Sequence, residues 1–126
     1  AARKLGSEYA EQIAPRWKTQ SRSIYISGSD QLKTAYGYAR TGNWQLATDI
    51  WYLVATSNNE KIAKRASFNL ILASEISGDL VLAEEWAQRC IDTYHMDEAE
   101  KYLSIIKQRK KEIKKIEYLF PLMVFE

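Results

Sequence analysis

An internal repeat constrains this chain more than any other feature. The stretch Leu32–Ala55, LKTAYGYARTGNWQLATDIWYLVA, lies over Phe68–Ile91, FNLILASEISGDLVLAEEWAQRCI, at a constant offset of 36 residues. Gly42 falls on Gly78, Leu46 on Leu82, Ala47 on Ala83, Trp44 on Leu80 and Asn43 on Asp79. A period of about 34 residues with a glycine in mid-repeat marks stacked helix–turn–helix units. Asp30–Tyr94 is therefore expected to be one helical hairpin written twice.

The physics behind the pattern needs no family. Two antiparallel helices approach closely only where side chains are small. Ala35 and Ala47 supply that in the first hairpin, and Ala83 with Ala87 in the second. Gly42 and Gly78 can take the left-handed conformation that ends a helix. Asn43 and Asp79 follow them and can cap the next helix through their side-chain oxygens. Trp44, Trp51 and Trp86 are large enough to fill the wedge between helices. An unrelated small bundle that reuses small–large packing meets the same constraints.

At these residues the chain resembles the tetratricopeptide repeat. With Gly42 as the turn residue, Ala35, Tyr38, Trp44, Ala47 and Trp51 fall on its small, aromatic, aromatic, small and aromatic positions. In the second repeat Gly78, Leu80 and Ala83 fit. Ile71, Ser74 and Ala87 replace a small residue, a tyrosine and an aromatic, so this repeat is degenerate. The resemblance implies a concave side lined by the first helix of each hairpin. Matching positions are Leu32, Lys33, Tyr36, Ala39 and Arg40, then Arg65, Phe68, Asn69, Leu72 and Glu75. Asn69 coincides with an asparagine used by repeats that clamp a peptide's terminal carboxylate. Leu32 and Tyr36, however, stand where that clamp needs lysine and asparagine. The plain alternative for Asn69 is a helix-surface amide contacting neighbouring backbone. The binding groove is accordingly expected at Lys33, Tyr36, Arg40, Arg65, Phe68, Asn69 and Leu72. Of these, Tyr36, Arg40, Arg65 and Phe68 are expected on one accessible concave surface.

Along the chain, Ala1–Ala14 carries Leu5, Tyr9 and Ile13 at helical spacing and reads as a helix ending before Pro15. Arg16–Ser29 reads as extended chain packed on the first hairpin; within it Ser23–Ser27 has strand-like composition but is short and is stopped by Gly28. Helices are expected from Ser29 or Asp30 to about Thr41, over Asn43–Thr56, Lys61–Ser77 and Asp79–Thr93. The longest, Glu98–Leu119, would cover the last hairpin with a polar outer face. The expected fold is all-α: two tetratricopeptide-like hairpins with an N-terminal helix, an extended segment and a long C-terminal capping helix. Residues 1–29 form the N-terminal part. Residues 30–126 form the repeat domain, as hairpins 30–57 and 58–94 and the capping helix with its tail, 95–126.

A wider resemblance covers most of the chain. The run APRW (Ala14–Trp17), RSIYISG (Arg22–Gly28), the GNW..A...W of Gly42–Trp51, and ASFNLILASEISGDLVLAEEWA (Ala66–Ala87) carry it. They resemble the C-terminal part of a family of uncharacterised lipoproteins from the Bacteroides group. In that family a repeat-type helical region follows a separate N-terminal region not present here. The resemblance implies a cell-envelope location, periplasmic or as an outer-membrane lipoprotein, and no known activity. The ending YLFPLMVFE departs from the family's usual end.

Composition excludes more than it identifies. At 126 residues the chain suits one domain with a single core, and a net charge of +2 gives no bulk pull toward nucleic acid or membrane. No apolar run is long enough to span a bilayer. The single cysteine, Cys90, rules out an internal disulfide and sits on a core stripe as a small buried hydrophobe. His95 is the only histidine, so a metal site is not expected. The adjoining carboxylates Glu84/Glu85 and Asp97/Glu98 point in different directions on a helix and read as solvated charges. No nucleophile elbow, phosphate loop or glycine-rich fingerprint occurs. No enzymatic activity and no cofactor are expected.

The expected function is a non-catalytic interaction or scaffold module that presents its groove to a peptide or partner protein. One alternative is a purely structural domain that supports an N-terminal region. The other is an anion or nucleic-acid binder acting through Lys107, Arg109, Lys110, Lys111, Lys114 and Lys115. Acidic Asp97, Glu98 and Glu100 begin the same helix, and acid first with base last is also what a helix dipole favours. The apolar tail, Leu119, Phe120, Leu122, Met123, Val124 and Phe125, has three roles open to it: folding back, self-association, or covering a surface that the N-terminal region meets. Pro121 is expected to stop the helix from running smoothly through it.

Overall fold

The computed structural model describes the backbone of residues 23–124 and the side chains of residues 23–115. Among the described residues five helices follow an extended segment: α1 (Asp30–Arg40), α2 (Trp44–Ala55), α3 (Glu60–Ile76), α4 (Leu80–Tyr94) and α5 (Asp97–Val124). Each packs on the next, so α1/α2 and α3/α4 are two successive hairpins and α5 lies against α4. The fold is all-α, and no strand occurs among the described residues. The expected helix Ala1–Ala14 lies outside the described residues, as do the side chains of the apolar tail.

The repeat is preserved down to its turn bonds. Gly42 and Gly78 have φ of +89° and +85°. Gly42 N donates to Ala39 O, and Gly78 N to Glu75 O; Asn43 N donates to Tyr38 O, and Asp79 N to Ser74 O. Each of these two bonds in the first turn has its twin 36 residues on. These glycine-ended turns satisfy the carbonyls that a helix end leaves open. The caps are less uniform. Ser29, Asn59 and Asp79 accept from Leu32 N, Ile62 N and Leu82 N at 3.2, 3.4 and 3.0 Å. Asn43, expected to cap α2, does not: its amide donates back to Thr41 Oγ1 at 3.2 Å. A threonine hydroxyl two residues earlier captures the donor, where the acidic Asp79 has no donor to offer. Helix α4 ends on His95 in the left-handed conformation, φ 53°.

α3 is the centre of the molecule. Every residue from Ala66 to Glu75 is buried. A helix covered on all faces must be apolar or internally satisfied all round. Leu70, Ile71 and Leu72 supply the apolar part, while Ser67 Oγ and Ser74 Oγ donate to the carbonyls of Ala63 and Leu70, both at 2.7 Å. The small residues expected at helix seams, Ala35, Ala47, Ala83 and Ala87, have no exposed surface. Trp51 is fully buried and tilts against half-buried Trp44 at 6.2 Å, while Trp86 meets Tyr52 edge-on at 5.6 Å. Replacing Ala47 or Ala83 with leucine should therefore overpack a seam and cost about 1–3 kcal/mol. Gln31→Leu, on the exposed side of α1, is the control. Denaturant midpoints that move equally little in all three variants would place the seams elsewhere.

Helix α5 is longer than its sequence signals suggest. It begins at Asp97 and continues past Pro121 to Val124. A proline removes one main-chain hydrogen bond and crowds one carbonyl, which kinks a helix as readily as it ends one. The described residues contain no helix long and apolar enough to cross a membrane.

Candidate functional site

The extended segment Ser23–Ser27 runs over the inner side of α3 and reaches α5. Its main chain is held by one side chain of α3. Tyr25 N donates to Asn69 Oδ1 at 2.7 Å, and Asn69 Nδ2 donates to Tyr25 O at 2.8 Å. A carboxamide offers one acceptor and two donors, so it can pair with the N–H and C=O of a single extended residue. Arg65, one turn earlier on α3, donates through Nη1 to Ser27 O at 2.6 Å, and its guanidinium lies 5.3 Å from the Tyr25 ring centroid. This segment was expected on the first hairpin. Its polar and ring contacts run instead to α3 and α5, because α3 carries Asn69 and Arg65, two polar side chains that pair with its backbone.

Tyr25 ties three elements together. Its ring packs edge-on against Phe68 at 5.4 Å, and Phe68 packs edge-on against Tyr102 of α5 at 5.9 Å. Its hydroxyl donates to Glu98 Oε2 at 2.5 Å. Burial, then the hydrogen bond to Glu98, push the phenol up to about 12, so it remains a donor at neutral pH. Beside this aromatic row an open cleft of about 470 Å³ is lined by Ile24, Tyr25, Phe68, Tyr102 and Ile105, with Glu98 and Lys101 contributing polar groups.

Behind the cleft lies a buried carboxylate. Glu75 is 4% exposed. It accepts from the Tyr102 hydroxyl at 2.9 Å and from Arg109 Nη1 at 2.8 Å. A second ion pair joins Lys110 to Glu84 at 2.8 Å. Two members of the basic run on α5 thus serve internal pairs. Lys107, Lys111, Lys114 and Lys115 remain exposed.

The expected groove residues do not share one accessible surface. Lys33 and Arg40 are exposed and Tyr36 is half-buried, all on α1. No hydrogen bond, ion pair or ring contact among the described residues joins them to the α3 set. Arg65 is half-buried under the extended segment. Phe68, Asn69 and Leu72 are buried, which corrects their expected exposure. The chain itself covers part of this face: Tyr25 lies over Asn69 and Phe68, and Tyr102 of α5 packs on Phe68 as well. Asn69 does contact backbone, but that of a segment 44 residues away in sequence. Tyr25, Glu98, Tyr102 and Ile105 were not among the expected site residues. Only the strand-like composition around Tyr25 hinted at any of them.

Among the described residues no cluster of His, Cys, Asp and Glu is able to hold a metal ion. Burial pushes the Cys90 thiol up to about 12, so it stays protonated at neutral pH.

Residues 33–116, which are 84 of the 126, match the family model described as a domain of unknown function, DUF6340. The chain belongs to the DUF6340 family. The matched span contains the receiving side of the site, from Arg65 and Asn69 on α3 to Tyr102 and Ile105 on α5. Tyr25 lies outside it. No curated protein and no solved structure matches this DUF6340 chain.

Proposed function

We propose that this chain is a non-catalytic interaction module, tetratricopeptide-like in kind, that offers its inner face to a peptide or partner protein. The reading places it in a cell-envelope lipoprotein of the Bacteroides type, on the resemblance carried by APRW, RSIYISG and the repeat residues. One observation carries it above the others. The cleft beside Tyr25 has room for several side chains and is walled by aromatic and aliphatic groups, with two opposite charges, Glu98 and Lys101, contributing its polar part. Concave apolar sites with few polar groups are where ligands bind.

The test uses the full chain. A displayed library of random peptides should be enriched for sequences that the wild-type chain retains. An Ile105→Glu variant, which sets a charge in the cleft, should weaken them about tenfold or more, the effect of losing roughly 1.4 kcal/mol. Absence of enrichment would favour the second reading, a domain that only supports another region. That reading draws on the consumption of Phe68, Asn69 and Leu72 by internal packing. An anionic partner on α5 is supported less, since Arg109 and Lys110 are engaged with Glu75 and Glu84.

A further inference from the structure

In an extended chain, successive residues turn their N–H and C=O groups to opposite edges. Tyr25 turns both groups toward Asn69. Ile24 and Ile26 therefore present theirs on the other edge, where neither makes a hydrogen bond among the described residues. Ile26 is 44% exposed and Ile24 is half-buried. An unpaired strand edge is a template for another strand. At its Ile24 end it adjoins the apolar cleft bounded by Phe68, Tyr102 and Ile105.

We propose that this edge takes up an extended segment of another protein. The segment adds as a second strand beside Ile24 and Ile26 and sets an apolar side chain into the cleft. The mode is strand addition: main-chain bonds hold the segment, and one pocket selects its side chain. The inference rests on the cleft being an interaction site and adds how the partner binds. The resident segment stays in place, because leaving would cost the bonds to Asn69, Arg65 and Glu98 together. A second copy of this chain fits less well. Antiparallel pairing about Tyr25 would set two Glu98 carboxylates and two Arg65 guanidiniums, each at its own Tyr25 ring, against their like-charged counterparts.

The probe is a synthetic strand-forming peptide, acetyl-Lys-Thr-Val-Phe-Val-Thr-Lys-amide, titrated into the isotope-labelled full chain to millimolar concentration. Two N-methylated versions accompany it, one blocked at both valine amides and one at the threonine and phenylalanine amides. In the free chain the Tyr25 amide should exchange slowly and those of Ile24 and Ile26 quickly. Peptide should slow both isoleucine amides and leave Tyr25 protected. One methylated version should lose binding and the other keep it, since only one edge of the probe faces the chain. Ile26→Pro, which removes a donor, should weaken binding about tenfold or more, and Ile26→Ala should not. If Ile26→Pro alters the helical circular dichroism, the methylated pair decides alone.

No binding at millimolar peptide overturns the proposal. So does exposure of the Tyr25 amide on binding, which means displacement of the resident segment. A peptide-free dimer abolished by Ile26→Pro also overturns it, in favour of a second copy. If Ile105→Glu abolishes binding but Ile26→Pro and both methylations leave it intact, strand addition falls and the interaction module stands. If selected and synthetic peptides alike ignore every variant, both fall.

Discussion

Trp51→Ala should cost about 3–5 kcal/mol, the largest single loss expected in this chain. Trp51 has no exposed surface and sits where Trp44 and the small residues of the first hairpin converge. Truncation removes a large apolar side chain and leaves a hole whose walls are helices held by fixed turns, so collapse around it is limited. Domains of this size are stable by about 5–15 kcal/mol, so roughly a fifth or more of the total is at stake. Thermal melts followed by circular dichroism should show a drop of roughly 10–20 °C. Tyr52→Ala, at a neighbouring residue that is 41% exposed, should cost far less. Equal losses at the two positions would mean that Trp51 does not fill the wedge.

Glu75→Leu should be nearly as damaging, at about 3 kcal/mol, for a different reason. The buried carboxylate receives Tyr102 and Arg109 from two successive stretches of α5 and thereby clamps that helix to α3. Removing it takes the acceptor from a buried hydroxyl and from a guanidinium whose side chain is 25% exposed. The partial exposure of Arg109 keeps the figure at the low end for a broken buried pair. Adding Arg109→Met should recover part of the loss, because replacing both members of a buried pair by apolar groups is often close to neutral. Urea denaturation of the two variants beside wild type measures it. A double variant no better than the single would show that the clamp acts through packing alone.

The hairpins were legible because their signals are local. A glycine, the capping residue after it and the alanines on one helix face lie within a few residues of one another, and the turn bonds fix the rest. The inner face was not legible, because what covers it comes from far away in sequence. Asn69 looks the same in sequence whether it faces solvent, a ligand or Tyr25. Glu75 likewise reads as a surface carboxylate until α5 lays Tyr102 and Arg109 over it. Asn43 shows a smaller gap. Its capping chemistry was sound, but a nearby hydroxyl competed for its amide, and propensity does not weigh such local competition. Pro121 shows another, since a helix breaker states a local preference that a long helix can override.

The burial of α3 on every side changes how the array must behave as a material. Stacked repeats ordinarily form a one-dimensional chain of nearly independent units, free to fray from either end or to bend between neighbours. Here one helix touches α2 and α4 in the stack and is also bound by Ser23–Ser27 and, through Glu75, by α5. Separating any of these parts breaks contacts with the same helix. The array therefore gives up elasticity for cooperativity, and it should transmit a pull or a push at one end as a rigid strut.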